Sequence, residues 1–130
     1  MFIWIYSDLS VAASTHIVVI GHPGLPKLDV PTIQKLFTGR AVEINGRSVT
    51  VVNIAPNNTV RKVFLEKYLE QDEDKYLAYW TVRRFIGKGT PPKELVSSTE
   101  VVEYIQSHSD TIGYISVDDS KPGLNILSEM

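Results

Sequence analysis

Hydrophobic residues along the chain fall into short unbroken runs and into runs with helical spacing. The unbroken run Ile17–Ile20 predicts a strand that is buried on both faces, as in a parallel or mixed sheet. After it, Asp29 can cap a helix and Pro31 suits the first helical turn. The apolar positions from Ile33 to Phe37 share one face of that predicted helix, and Gly39 is well placed to end it.

A second cluster of apolar residues surrounds the dipeptide Asn45-Gly46, which predicts a two-residue hairpin turn. The run Val49–Ile54 then predicts another buried strand. Polar residues from Ala55 to Thr59 form a loop, and helical spacing resumes at Val60 with Val63, Phe64 and Tyr68.

The region from residue 72 to residue 92 predicts a longer helix and its end. Asp72 is a candidate cap, and Tyr76, Leu77, Trp80 and Arg84 are expected on one side of the helix. Aromatic residues at helical spacing are typical of a core, so Tyr76, Tyr79, Trp80 and Phe85 are interpreted as packing residues. The stretch Gly87–Pro92 ends the helix.

The last third of the chain predicts one short helix and two strands. Ser97 followed by Glu100 has the spacing of a capping box, and Val101, Val102 and Ile105 make the following helix amphipathic. Thr111–Val117 is a predicted strand in which Gly113 allows close backbone approach and Tyr114 packs on the sheet. The turn Lys121-Pro122-Gly123 leads to a candidate final strand, Leu124–Leu127. The predicted class is therefore α/β, with a single mixed sheet flanked by helices.

Composition fits one soluble domain and excludes several functions. The chain has 130 residues, 43% of them hydrophobic and 22% charged, which is ordinary for one globular domain. Its net charge is -2 and its basic residues are scattered, so a nucleic-acid-binding stripe is not expected. It contains no cysteine, which excludes disulfides and thiolate chemistry.

The sequence predicts neither an enzyme nor a metal or cofactor site. His16, His22 and His108 are dispersed, and no pair of them has metal-ligand spacing. Adjacent acids, such as Asp118-Asp119, suit capping and solvation better than acid–base catalysis. Nucleophile-elbow, phosphate-loop and dinucleotide motifs are missing from the sequence.

Two interpretations of the N-terminus are open. Residues 1–14 begin with an apolar stretch and end in the small residues Val11-Ala12-Ala13-Ser14, as at a signal-peptidase site. They are either the remnant of a signal peptide or an arm of the folded protein, with residues 15–130 forming the domain. The first interpretation predicts a periplasmic or otherwise exported protein.

Short motifs in a fixed order carry a resemblance to a known family. They are Leu36-Phe37-Thr38-Gly39, Asn45-Gly46, Val49-Thr50-Val51-Val52, Arg61-x-x-Phe64, Tyr79-Trp80, Phe85-x-Gly87-x-Gly89, Pro91-Pro92 and Ile112-Gly113-Tyr114. Together, over residues 16 to about 118, they resemble the small single-domain relatives of the substrate-binding proteins of phosphate ABC transporters. The resemblance implies one lobe of the type-2 periplasmic binding architecture.

The resemblance also implies where a ligand would bind. Two-lobed phosphate binders close on the anion, and a Ser-Gly-Thr loop at the start of a helix holds it. The matching positions here are Asn57, Asn58 and Thr59, of which only Thr59 is retained, and an upstream arginine of the family falls at Asn53. A second lobe is not recognisable in the chain.

The residues of the loop themselves suit an anion. A helix start exposes unpaired backbone N–H groups, which attract negative charge. Asn58 or Thr59 can cap this helix, Asn57 can donate to a ligand, and Arg61 can grip an oxyanion with two hydrogen bonds. The competing interpretation is plain capping, with Arg61 paired to Glu66 or Asp72. Gly21 and His22 are expected to join the site, because they follow a buried strand.

The sequence thus predicts a non-catalytic solute-binding domain that contacts phosphate or a similar oxyanion in transport or sensing. The alternative is an interaction or structural domain that has lost ligand binding. A single lobe offers little burial to a small ligand, so a homodimer or a membrane-transporter partner is a candidate source of the opposite wall.

Overall fold

The computed structural model describes residues 16–130, so residues 1–14 and both interpretations of them lie outside the described part. The strands are β1 Ile17–Gly21, β2 Glu43–Ile44, β3 Arg47–Ser48, β4 Thr50–Ile54, β5 Lys93–Leu95, β6 Thr111–Ser116 and β7 Asn125–Glu129. The helices are α1 Val30–Phe37, α2 Thr59–Phe64, α3 Glu73–Phe85 and α4 Ser98–Ser107. Within residues 16–130, no helix has the length and apolar character needed to cross a membrane.

One mixed five-stranded sheet organises the fold, in the order β5-β4-β6-β1-β7. β4 runs parallel to β5 and β6, whereas β1 runs antiparallel to β6 and β7. All five residues of β1 are buried, which explains its unbroken apolar run. The predicted α/β class with a single mixed sheet flanked by helices is confirmed.

Side-chain caps start the helices where the sequence places them. Asp29 Oδ1 accepts from Thr32 N at 3.0 Å, and Asp72 Oδ1 accepts from Lys75 N at 2.8 Å. Ser97 Oγ accepts from Glu100 N at 3.2 Å. The Glu100 carboxylate bonds back to Val96 N at 2.8 Å, one residue earlier than a standard capping box requires.

The predicted hairpin is confirmed and lies apart from the main sheet. β2 and β3 pair with each other only, with Ile44 opposite Arg47. Asn45 and Gly46 both have positive φ, 53° and 81°, as a two-residue hairpin turn requires.

α2 continues directly into a wider helical turn, Leu65–Leu69. This turn has the i to i+5 hydrogen-bonding pattern and ends at Glu70 in the left-handed conformation, with φ 56°. The Tyr68 carbonyl accepts from Gln34 Nε2 at 2.8 Å, and this contact ties the wide turn to α1.

The core joins the helices to the sheet through stacked aromatic rings. Tyr114 on β6 stacks on Phe64 of α2, with ring centroids 3.8 Å apart and planes 2° from parallel. Phe37 of α1 meets Phe64 edge-on at 4.8 Å. All three side chains are fully buried, so Tyr114 packs on the sheet as predicted.

One face of α3 contradicts the sequence interpretation. Tyr76 and Trp80 are buried, but Leu77 is 59% exposed and Phe85 is 90% exposed. Arg84 also points to solvent. The physical reason is that one stripe of the helix covers the end of α1 and nothing within residues 16–130 covers the opposite stripe. Phe85 is therefore not a core residue.

Strand β5 is absent from the sequence prediction. It has only three residues, and of these only Leu95 is buried. A strand of this length at the sheet edge has too few apolar positions to produce a period-two pattern.

Gly113 marks a close approach of α4 to the sheet. A Cβ at this position would lie 2.8 Å from Val101 Cγ1 and 2.9 Å from Val52 Cγ2. The predicted role of Gly113 in close packing is therefore confirmed.

We expect Gly113→Ala to lower the free energy of unfolding by about 1–3 kcal/mol, because the added methyl overpacks a closed contact. Urea denaturation measures the change. Ser109→Ala, at an exposed residue of the preceding turn, is the control and should shift stability by less than about 0.5 kcal/mol. A Gly113→Ala protein as stable as wild type would contradict the packing described here.

Candidate functional site

The turn of residues 55–59 connects β4 to α2 and contains the predicted ligand residues. Asn58 is the cap of α2, since its Oδ1 accepts from Val60 N at 2.8 Å. Its amide nitrogen lies 3.4 Å from the Val96 carbonyl, its hydrogen-bond acceptor. Asn57 has φ 73°, a left-handed conformation that asparagine tolerates better than most residues. The capping role of Asn58 decides between the two candidates that the sequence left open.

An open depression of about 440 Å³ lies beside this turn. Its lining residues are Asn57, Asn58, Thr59, Lys62, Leu65, Glu66, Asp72, Glu73 and Asp74. Three predicted residues therefore share one concave surface. Four carboxylates and a single lysine also line it, so the charge around the depression is predominantly negative. That balance opposes an oxyanion.

Arg61, by contrast, points into the protein and is 3% exposed. Its Nε and Nη2 donate to the two oxygens of Glu73 at 2.8 and 2.7 Å, a bidentate pair. Its Nη1 donates to Glu94 Oε2 at 3.1 Å and to the Ile54 carbonyl at 3.0 Å. We call this arrangement the Arg61 clamp.

The clamp uses four of the five N–H groups of the guanidinium. Burial opposes the charge on Arg61, but the hydrogen bonds and the negative charge of Glu73 outweigh it, so the pKa of Arg61 is raised. The guanidinium carbon also lies 5.4 Å from the centre of the Tyr76 ring. Arg61 therefore already has the carboxylate partners that would compete with an oxyanion.

The partners of Arg61 differ from those considered in the sequence. Glu66 and Asp72 line the depression, whereas Glu73 and Glu94 hold the guanidinium. Glu73 directly follows Asp72, which the sequence analysis named as a candidate partner of Arg61. Glu94 lies on the unpredicted strand β5, and no pattern in the sequence points to it.

Asn53, at the position of an upstream family arginine, belongs to a buried network. Its Nδ2 donates to the Tyr76 hydroxyl at 3.1 Å, and its Oδ1 accepts from the Tyr114 hydroxyl. The Tyr114 hydroxyl accepts from Ile54 N at 3.0 Å, and the Tyr76 hydroxyl donates to the Phe37 carbonyl at 2.8 Å. The side chain of Asn53 is thus committed to holding β4 against β6 and α3.

Burial shifts the titration of both tyrosines in this network. It raises the pKa of Tyr76 to about 12, although hydrogen bonds and the charge of Arg61 act in the opposite direction. Burial also raises the pKa of Tyr114, with the Ile54 amide and Arg61 again opposing the shift. The neutral phenols are therefore part of the folded structure.

Gly21 and His22 do not join the turn, which corrects the sequence prediction. Gly21 lies opposite Ile112 of β6, and Ile112 is also the partner of Val51 near the start of β4. The turn follows Ile54, at the other end of β4. At about 3.3 Å per residue, the two places are separated by more than about 10 Å along the strands. The error arose because β1 runs antiparallel to its neighbour β6.

Within residues 16–130, no three His, Asp or Glu side chains lie close enough together to bind a metal ion. His22 is exposed and its Nδ1 lies 3.2 Å from the Pro23 carbonyl. His108 stacks on Tyr104, with centroids 3.8 Å apart.

Comparison with known proteins identifies the fold. No protein-family model and no curated protein matches the chain. A solved structure described as a phosphate ABC transporter substrate-binding protein with bound phosphate, from Clostridium perfringens, has a TM-score of 0.65 at 17% identity. The match covers 88% of this chain and 45% of that one.

Two further structures agree with this match. PstS from Borrelia burgdorferi has a TM-score of 0.64 at 16% identity over 88% of this chain and 47% of its own. An ABC-type phosphate transport receptor from Vibrio cholerae has a TM-score of 0.59 at 11% identity, over 95% of this chain and 53% of its own. The chain spans about half the length of these proteins. Its fold is that of one lobe of a phosphate-type substrate-binding protein, as the resemblance implied.

The Arg61 clamp predicts unequal roles for its two carboxylates. We expect Glu73→Gln to lower the free energy of unfolding by about 1–2 kcal/mol, because it weakens a bidentate, half-exposed charge-assisted pair. Glu94→Gln should cost less, since Glu94 accepts one hydrogen bond from Arg61. Glu66→Gln, at an exposed position on the same surface, is the control. Equal stability of all three variants in urea denaturation would argue against the clamp.

The Tyr76 hydroxyl predicts a stability change at alkaline pH. The pKa of Tyr76 is about 10 in the unfolded chain and about 12 in the folded protein. The neutral phenol therefore contributes its full stabilisation below pH 10, and this stabilisation is lost as the pH rises from 10 to 12. Tyr76→Phe should cost about 1–3 kcal/mol at pH 8, because two buried hydrogen-bond partners are left unpaired.

Between pH 10 and 12 the stability gap between wild type and Tyr76→Phe should narrow by about 2–3 kcal/mol. Urea denaturation at stepped pH measures this gap. A gap that stays constant to pH 12 would show that Tyr76 titrates normally in the folded protein.

Proposed function

We propose that this chain is a non-catalytic, solute-binding-type lobe that acts by contact with protein and no longer holds an oxyanion at its loop. The observation that carries the proposal is the Arg61 clamp. The guanidinium beside the turn is bonded to Glu73 at 2.8 and 2.7 Å and to Glu94 at 3.1 Å. Two carboxylates of the chain itself thus accept the hydrogen bonds that Arg61 would otherwise donate to a bound oxyanion.

The charges around the turn support the same proposal. Glu66, Asp72, Glu73 and Asp74 line the depression, and Lys62 is the one basic residue among its lining residues. Bringing a phosphate to this surface would place like charges close together, at a cost that salt only partly screens. One lobe alone also leaves most of a small ligand in water.

A second candidate function is weak oxyanion binding at the turn. It is supported by the concave surface that unites Asn57, Asn58 and Thr59 with Lys62, all able to donate hydrogen bonds. It is supported too by the similar structure from Clostridium perfringens, which holds phosphate. The affinity would be low, because Arg61 does not contribute to it.

The proposal includes a cellular setting. A lobe of this kind suits an exported protein that works beside a phosphate-type ABC transporter, either as a contact of the transporter or as a sensor. Catalysis is not part of the proposal, since the depression holds no nucleophile paired with a base.

Calorimetric titration separates the two candidates. With inorganic phosphate or sulfate added to about 10 mM, we expect wild type to give no saturable heat and no rise in melting temperature. The control is Glu66→Gln/Asp74→Asn, which removes two negative charges and leaves the turn and the Arg61 clamp intact. Oxyanion binding at the turn predicts stronger binding in that variant.

Saturable binding to wild type would overturn the first proposal. If Thr59→Val and Lys62→Gln then weakened it, the second candidate would take its place. Binding that neither variant altered would place the anion elsewhere and contradict both candidates.

A further inference from the structure

The Glu73 carboxylate lies between the depression and the guanidinium of Arg61. Glu73 lines the depression and also accepts from Arg61 Nε and Nη2 at 2.8 and 2.7 Å. Its side chain is 40% exposed, whereas that of Arg61 is 4% exposed and is not part of the lining. We call the pair of donors Nε and Nη2 the fork edge of Arg61. One carboxylate therefore separates this edge from the open surface.

The fork edge is held in place by contacts that do not involve Glu73. Arg61 Nη1 donates to the Ile54 carbonyl at 3.0 Å and to Glu94 Oε2 at 3.1 Å. The guanidinium carbon lies 5.4 Å from the centre of the Tyr76 ring. Because these contacts lie away from the fork edge, the guanidinium keeps its position when the Glu73 carboxylate is removed. The edge is thus preorganised for an acceptor.

The start of α3 fixes the position from which Glu73 reaches Arg61. On one side of Glu73, Asp72 Oδ1 accepts from Lys75 N at 2.8 Å. One turn later, the Tyr76 hydroxyl donates to the Phe37 carbonyl at 2.8 Å. A carboxylate presented by a fixed helix competes for the guanidinium at a high effective concentration. Phosphate at about 10 mM is therefore not expected to displace it.

The chemistry of the fork edge defines the ligands that it could accept. Two parallel N–H groups of arginine match the oxygens of a carboxylate, a phosphate or a sulfate. Beside Glu73, the depression supplies the hydroxyl of Thr59 and the ammonium group of Lys62 as further donors. The position is not that of the family arginine, which falls at Asn53 and is committed to the buried tyrosine network.

We propose that Arg61 belongs to a masked oxyanion site, in which the Glu73 carboxylate takes the place of the ligand. The proposal rests on the proposed function and deepens it, because it assigns the loss of oxyanion binding to a single side chain. Glu73 is then an autoinhibitory contact, and its removal makes phosphate a ligand of the lobe.

The remaining acids of the depression oppose an anion less strongly than the fork edge attracts it. Glu66 and Asp74 are exposed, so water and salt screen their charges. An anion at the fork edge would instead form two charge-assisted hydrogen bonds to a buried guanidinium. For the uncovered site we expect a dissociation constant for phosphate on the order of 1 mM.

Calorimetric titration of Glu73→Ala with inorganic phosphate tests the proposal. We expect saturable binding, and a rise in melting temperature of about 3–8 °C at 20 mM phosphate relative to chloride of equal ionic strength. Glu66→Ala is the matched control. It removes one carboxylate from the same depression but uncovers no guanidinium, so its binding should be at least tenfold weaker.

A comparison of two anions separates a ligand site from a refilled space. Acetate replaces the atoms that Glu73→Ala removes, whereas phosphate also reaches the donors of the depression. Phosphate should therefore bind more tightly than acetate, and adding Lys62→Gln to Glu73→Ala should weaken phosphate at least threefold. Binding of acetate without binding of phosphate would mean that a vacated space is refilled, and it would overturn the proposal.

Nuclear magnetic resonance locates the anion. In Glu73→Ala, the Arg61 Nε–H signal should shift during the phosphate titration and saturate with the calorimetric dissociation constant. In wild type the same signal should stay constant, because Glu73 retains the hydrogen bond. Phosphate binding that leaves this signal in place would put the anion elsewhere and contradict the masked site.

The test remains decisive if Glu73→Ala is unstable. Circular dichroism checks the fold, and a variant that is unfolded in chloride should refold in phosphate at concentrations that leave the melting temperature of Glu66→Ala unchanged. Failure to refold, or equal binding by Glu66→Ala, overturns the masked site. Phosphate binding to wild type tests the proposed function, whereas the difference between wild type and Glu73→Ala tests the masking, so the two failures are distinguishable.

Discussion

The Arg61 clamp is the interaction on which the rest of the lobe depends. One buried guanidinium connects α2, on which it lies, to Glu73 at the start of α3, to Glu94 on β5 and to the end of β4. A buried charge of this kind is stable only when its partners stay in place, so four elements are fixed relative to one another. Because of the same contacts, the loop beside the clamp forms a concave surface, but Arg61 is not available to a ligand there.

The mixed direction of the sheet determines which loops can share a function. The turn after Ile54 lies at one end of β4, and the segment after Gly21 lies at the other, because β1 runs against β6. Residues that follow buried strands meet at one edge only in a parallel sheet. The concave surface is built from the turn between β4 and α2, from α2 with the wide turn that follows it, and from the start of α3, and β1 does not contribute to it.

Local features of the fold could be predicted from the sequence, and long-range features could not. The caps at Asp29 and Asp72 and the hairpin at Asn45-Gly46 depend on neighbouring residues, so their signals are local. The pairing of Arg61 with Glu94 spans 33 residues and depends on β5, a strand too short to leave a pattern. The exposure of Phe85 was missed for a similar reason, because helical spacing places residues on faces without telling which face is covered.

The wide helical turn Leu65–Leu69 carries three buried side chains, Leu65, Tyr68 and Leu69. Such a turn holds one residue more than a regular α-helix would. If one residue were deleted from it, the chain could regain ordinary α-helical winding, and the side chains after the deletion would rotate by about 100° around the axis of α2. Tyr68 would then lose its carbonyl contact with Gln34 and its stacking on Phe64. The number of residues in this segment is therefore constrained by the packing of α2 against α1.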